Sequence, residues 1–317
     1  MLKADSVCVE IQKKVLRGRP ANSFTPWGDT KEKVLDGGVR YYPNFCYGKE
    51  WPNSYFDIWR PAQDGQYPTI VFFHGGGFLF GDKVGGDPLA KSEDSSAAIL
   101  RGLAERGYNV VSADYALAPE YRFPAQYRQM NAFIAYLMEH GKEHHLDTSK
   151  LILMGSSAGA NLVEVYGAML TNPDYAAELG VRPAVSCEQI SAIVVDESVL
   201  NIAHFLDSPN MLLLTGSWLG EEPLENAEAT RLLNAPAYIQ KGYPPTFIVT
   251  SNQEHFFYDC GKDLETVLLR LGIENELYEC SSDVDELHHG FMTRYQSNPN
   301  AAECFERMVK FLEKYRG

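Results

Sequence analysis

Leu151-Ile152-Leu153-Met154-Gly155-Ser156-Ser157-Ala158-Gly159-Ala160-Asn161-Leu162 is the stretch whose reading decides the fold. The apolar run Leu151 to Met154 reads as a buried strand, and Ala160 to Leu170 suits a helix. Between them Gly155-Ser156-Ser157-Ala158-Gly159 fits G-x-S-x-G, a motif whose chemistry requires this strand–turn–helix setting. A turn this tight leaves no room for bulk two residues before or after the serine, and glycine stands at both positions. It holds the Ser157 hydroxyl above the sheet edge, where a base can reach it. An ordinary glycine- and serine-rich loop has the same local look, so the remainder of the chain must decide.

Outward from this stretch, strands and helices alternate. Thr69 to Phe73, Asn109 to Ala113, Ile190 to Val195, Thr246 to Thr250 and Asn275 to Tyr278 read as strands. Ser95 to Gly107, Ala125 to His140, the segment around Leu264 to Leu271 and that around Phe305 to Leu312 carry helical spacing. This alternation gives a mostly parallel sheet covered by helices on both faces. Before it, Gly38 to Gly48 and Ser54 to Arg60 read as an antiparallel pair, and Val7 to Leu16 as a short helix. Residues 199–240 break the alternation and read as an insertion that, with residues of about 1–40, caps one domain spanning 1–317.

The chain has 317 residues, 45% hydrophobic and 22% charged, which is ample for a globular core. A net charge of −14 argues against nucleic acids and anionic membranes as partners. Six scattered cysteines, the closest pair 20 positions apart, form no zinc pattern. With no signal-like N-terminus and no run long enough to span a bilayer, the expected setting is the cytoplasm. Gly81, Gly85 and Gly86 do not form a phosphate loop, because no G-K-[ST] follows. The sequence allows a homodimer without requiring one.

A serine hydroxyl needs a base, and the base a carboxylate to orient it. Of eight histidines, His289 follows the last predicted strand in Leu287-His288-His289-Gly290-Phe291, with His288 as its competitor. Ligands of such sheets sit beyond the carboxyl ends of the strands. The acid is therefore sought after an earlier strand: Glu254 is favoured, Asp259 and Asp196 remain open, and the order Ser157, Glu254, His289 is that of α/β-hydrolases. In His74-Gly75-Gly76-Gly77-Phe78, also after a strand, the amides of Gly75 and Gly76 join that of Ala158 as donors to an oxyanion.

Five segments together resemble the hormone-sensitive-lipase family of α/β-hydrolase carboxylesterases. They are His74-Gly75-Gly76-Gly77-Phe78, Asp114-Tyr115-Ala116-Leu117-Ala118-Pro119-Glu120, Phe123-Pro124-Ala125, Gly155-Ser156-Ser157-Ala158-Gly159 and His289-Gly290-Phe291, in family order over about residues 55–317. The resemblance implies an α/β-hydrolase fold, a Ser–acid–His triad, an oxyanion hole, no metal and no cofactor. It also implies a cap and a small-molecule ester substrate of short to medium acyl length. The chain departs from the family at Ser156, usually acidic, at Ala116, usually Arg, and at Glu254-His255-Phe256, usually Asp-Pro-Leu. The expected function is a serine carboxylesterase acting through an acyl-enzyme on acetyl to butyryl esters, acetylated carbohydrates among them. Phe205, Met211, Leu212, Leu213, Leu214 and Trp218 are expected to narrow the site from one side, and Phe24 and Trp27 from the other. The alternatives are an amide hydrolase such as an arylformamidase, or a binding protein. The plant gibberellin receptors resemble the family but have lost the catalytic histidine, which His289 here retains.

Overall fold

The strands of the parallel region are apolar on both faces, and a strand with two apolar faces needs helices on both sides of its sheet. The computed structural model, which describes residues 3–28, 30–85, 94–199, 201–223 and 225–316, shows this arrangement. Gly86 of the sequence analysis lies outside the described residues. The strands are β1 (Lys33–Val34), β2 (Arg40–Cys46), β3 (Tyr55–Arg60), β4 (Pro68–Phe73), β5 (Asn109–Ala113), β6 (Asp147–Ser156), β7 (Ile190–Asp196), β8 (Thr246–Val249) and β9 (Asn275–Tyr278). The helices are α1 (Lys3–Val15), α2 (Ser96–Glu105), α3 (Ala125–His140), α4 (Ala158–Thr171), α5 (Pro173–Glu178), α6 (Pro209–Leu219), α7 (Ala227–Leu233), α8 (His255–Leu271) and α9 (Pro299–Glu313).

The strands form one sheet in the order β1-β2-β3-β5-β4-β6-β7-β8-β9. β1, β2, β3 and β5 pair antiparallel, and the remaining ladders are parallel. Successive residues of one strand feed different cores. Val71, Phe73, Leu151 and Leu153 pack with α3 and α4, whereas Ile70, Phe72, Ile152 and Met154 pack with α2 and α9. β6 begins earlier than its apolar run, because Asp147 pairs with Pro68 of β4 across a register shift. The neighbouring ladder thus extends a polar tetrapeptide that hydrophobicity alone leaves out.

The N-terminal helix packs on the inserted segment. Asp5 of α1 binds the Arg122 guanidinium at 2.8 Å and accepts from the Ser217 hydroxyl at 3.2 Å. The Gln12 amide donates to the carbonyls of Leu79 and Ala118. These ties hold α1 and α6 together above the strand ends where the motifs lie. Among the described residues, no helix is long and apolar enough to cross a membrane.

One buried acid gives the fold a pH dependence. Glu164 of α4 is 1% exposed. Burial pushes its carboxyl up to about 8, against a smaller opposing contribution from the Ser198 hydroxyl. A carboxyl raised above its unfolded value favours the folded state at low pH, and that contribution is lost as pH climbs from about 4.5 to about 8. Glu164→Gln keeps the shape without the ionisation. Relative to the variant, the native protein is expected to lose up to roughly 1 kcal/mol of stability per pH unit in that window. Urea unfolding of both proteins at pH 5, 6, 7 and 8 measures this. A difference between them that stays constant across the series contradicts it.

Candidate active site

The G-x-S-x-G turn is as tight as the sequence requires. A Cβ on Gly155 would lie 2.0 Å from the Gly159 carbonyl oxygen, and one on Gly159 would lie 1.9 Å from that of Phe73. Only glycine fits at either place. Ser157 itself sits at φ 54° and ψ −114° between β6 and α4. A side-chain-bearing residue there stores about 1–3 kcal/mol of backbone strain. Its amide donates to the Asp196 carbonyl at 2.7 Å, which ties the turn to the end of β7.

The His74–Phe78 loop leaves the end of β4 beside this turn. A Cβ on Gly75 would come within 3.1 Å of the Ser157 Cβ. Gly76, at φ 106°, has its α-carbon close against the Phe80 carbonyl, where a Cβ would lie at 2.1 Å. The His74 ring stacks on Tyr115 at 4.2 Å and 8°, and its Nδ1 donates to the Gly75 carbonyl at 2.7 Å. Burial lowers the pKa of that imidazole, so it stays neutral and serves as a prop for the loop. The Ala158 amide belongs to the first turn of α4, where N–H groups have no partner within the helix.

His289 lies with Ser157 on one small cavity of about 20 Å³. Its ring stacks on Phe257 at 4.1 Å and 14°. Its Nδ1 stands 3.0 Å from Oε2 of Glu197, a side chain that is fully buried. The same Oε2 accepts from the Gly290 amide at 2.5 Å. A carboxylate facing Nδ1 favours the tautomer with the proton on that nitrogen and the lone pair on Nε2.

Sequence reasoning favoured Glu254 for that carboxylate and left Asp259 and Asp196 open, but the side chain that faces Nδ1 is none of these three. Glu254 Oε2 accepts from the backbone amide of His289 at 3.0 Å, and its Oε1 meets the His288 ring at 3.1 Å. It thus grips the loop that carries the histidine, while Glu197 faces the His289 ring itself. Asp259 instead lies 3.9 Å from His204, with Asp263 on the other nitrogen of that ring at 2.7 Å. Asp196 is buried at the end of β7, opposite Ser156 in the ladder with β6. Burial first, and the adjacent Glu197 second, push its carboxyl well above the usual range. Asn252 was also missed. It exchanges backbone and side-chain bonds with Leu287 and donates to the carbonyls of Cys280 and Asp285, fastening the histidine loop to the end of β8. The one sequence signal for Glu197 was an acid pair directly after the strand Ile190 to Val195, of which only Asp196 had been weighed.

Ser157 opens on a second cavity, of about 40 Å³, roofed by α6. Met211, Leu214 and Trp218 line it with Phe78, Asn161 and Val199. Trp218 stacks on Phe78 at 3.9 Å and donates to Gln126, which fixes the wall. Phe205, by contrast, is buried in the core, and Leu212 and Leu213 pack against that core. Phe24 and Trp27 do not close the other side. They are 59% and 45% exposed, and Trp27 lies under the Arg19 guanidinium. The first cavity, beside His289, has Asp94, Ser95, Ser96 and Thr293 on its wall. Among the described residues, no group of three or more His, Cys, Asp or Glu side chains is arranged to hold a metal.

A family model described as BD-FAE matches residues 56–264. The esterase LipI of Mycobacterium tuberculosis is 25% identical over 312 residues, covering 94% of this chain and 86% of that protein. The acetyl esterase of Salmonella paratyphi B is 27% identical over 218 residues, 63% of this chain and 60% of its own. Among solved structures, esterase B from Lactobacillus rhamnosis superposes with a TM-score of 0.73 at 17% identity, over 98% of this chain and 92% of that one.

The three carboxylates near the histidine loop can be ranked by kinetics. Glu197→Gln is expected to lower kcat by up to about 10⁴-fold, the scale set by a triad acid. Glu254→Gln should cost clearly less, and Asp196→Asn less again. If Glu254→Gln is the most damaging of the three, the carboxylate seen at Nδ1 is not the one that orients the ring.

Proposed function

Because the chain belongs to the BD-FAE family, within the hormone-sensitive-lipase-like α/β-hydrolases, and is a carboxylic ester hydrolase, we propose that it cleaves short-chain acyl esters by a Ser157–His289–Glu197 triad. The observation that carries this reading is the convergence of a strained serine turn, a glycine loop and a carboxylate-backed histidine on one strand edge. His289 Nε2 takes the Ser157 proton as Oγ attacks the ester carbonyl. Glu197, facing Nδ1, stabilises the imidazolium. The amides of Gly75, Gly76 and Ala158 receive the oxyanion. The imidazolium returns its proton to the departing alcohol, and the acyl group stays on Ser157. Water, activated by the same ring, then releases the acid. Ser157→Ala is expected to lower kcat by several orders of magnitude, about 10⁶-fold in a comparable triad, with folding intact. Ser156→Ala should be far milder. The reading fails if Ser157→Ala keeps activity within about tenfold of the native protein.

The residues from 199–240, together with α1, serve in this reading as a cap. The 40 Å³ cavity under α6 takes the acyl group. It has room for a few carbons, walled by a Trp218 side chain that cannot move aside without breaking its stack and its hydrogen bond. The cavity beside His289 takes the alcohol, and its hydroxyl groups suit a polyol leaving group such as an acetylated sugar. An acetyl esterase among the relatives agrees with a small acyl group. Each methylene that fits contributes about 1–3 kcal/mol, and one that does not fit strains the wall. The expected kcat/KM across p-nitrophenyl esters is highest from acetyl to butyryl. A maximum at octanoyl or beyond means an open channel and removes this assignment.

A further inference from the structure

A cleft far roomier than either cavity at Ser157 stands away from the serine. It lies at the opposite end of the strands, with about 1110 Å³ of space, between the start of β2, the end of β3 and the starts of β4 and β6. Since β6 runs ten residues from there to the serine turn, the two sites stand about 30 Å apart. The chain carries a net charge of −14, yet Arg40, Arg60, Lys142 and His145 all face this cleft. Its two acids are already engaged. Asp64 pairs with Arg40 at 2.7 Å, and Asp147 accepts from the amide and hydroxyl of Ser149. Among the described residues, Arg60 and Lys142 make no ion pair within 4 Å, whereas Arg40 is held by Asp64.

The geometry points to a second binding site here, for an acidic oligosaccharide carrying sugar carboxylates. The arginine fork matches a carboxylate, and Lys142 supplies a second cation for the next one along. Asp64 and Asp147 retain oxygen lone pairs that accept from sugar hydroxyls, whereas they would repel the dense charge of a polyphosphate. The Tyr42 and Tyr67 side chains line the same cleft and supply apolar surface beside the cations. The site would hold an acidic glycan chain while leaving the serine free to work, and it stands whether or not the ester reading does.

Calorimetric titration of the full chain with tetragalacturonate, xylotetraose and inorganic phosphate tests it. Binding of tetragalacturonate, weakened by salt and absent for neutral xylotetraose, is expected. Arg60→Gln and Lys142→Gln should each weaken it by about tenfold or more, as loss of a charge-assisted pair does, without changing p-nitrophenyl acetate hydrolysis. Ser157→Ala should leave it unaltered. Failure to bind tetragalacturonate, equal binding of phosphate, or binding indifferent to both cleft substitutions overturns the proposal. Loss of hydrolysis in Ser157→Ala bears only on the ester reading, so the two fail separately.

Discussion

The approach of α4 to the end of β4 sets the active edge of this molecule. A methyl group on Gly159 would fall inside the Phe73 carbonyl, at 1.9 Å. That closeness is possible only because β4 and β6 are parallel neighbours in register, Phe73 opposite Gly155. One ladder therefore fixes two things together. It sets the height of the Ser157 turn, and it sets the origin of the His74–Phe78 loop that leaves the adjacent strand. The strain at Ser157 is local, but the packing that maintains it is the core on both faces of the sheet. Protein interiors resist such displacement because they are close-packed.

The glycine loop depends in turn on buried charge. Lys83, 4% exposed, lies 3.3 Å from Asp114 and 3.7 Å from Asp57, both reached from the antiparallel side of the sheet. Burial raises the Asp57 carboxyl to about 6, while Lys83, the Tyr41 hydroxyl and the Asn44 amide pull the other way. The Lys83 amide also donates to Asp114 at 2.6 Å, and its carbonyl accepts from Ser112. A buried pair adds little net stability, but removing one member leaves an uncompensated charge. β2 and β3, remote from the chemistry in sequence, thus hold the far end of the loop that is proposed to receive the oxyanion.

What the sequence revealed follows from the range of the interactions involved. Asn109–Ala113, Ala125–His140 and Asn275–Tyr278 match the predicted elements at both ends, because hydrophobic period and flanking turns are local signals. The Ser157 turn was legible in part for the same reason, since Gly155 answers a clash with Gly159 inside the turn, whereas Gly159 answers one with Phe73 of the neighbouring strand. The acid was not. Glu197 reaches the ring because its own φ is 57° and because the loops after β7, β8 and β9 converge, and neither fact is written in residue type. Phe24 and Trp27 failed differently. Their aromatic character favours burial in general, but the path of the chain carries them to the surface, where Arg19 covers Trp27.

Two carboxylates meeting one histidine loop also explain why chain order cannot choose between them. β7 and β8 are adjacent parallel strands, so their carboxyl ends lie about 5 Å apart and open on the same loop. An acid after either strand satisfies the order serine, acid, histidine. Their surroundings separate them. The Glu254 side chain is 28% exposed, and its oxygens are taken by a backbone amide and by His288 at the surface. Water weakens its field at the ring. Glu197 is fully buried, and its charge acts through a medium of lower effective dielectric, where the same distance gives a several-fold larger interaction. In the proposed mechanism an imidazolium forming at His289 is therefore stabilised chiefly by Glu197, while Glu254 holds the backbone beneath the ring.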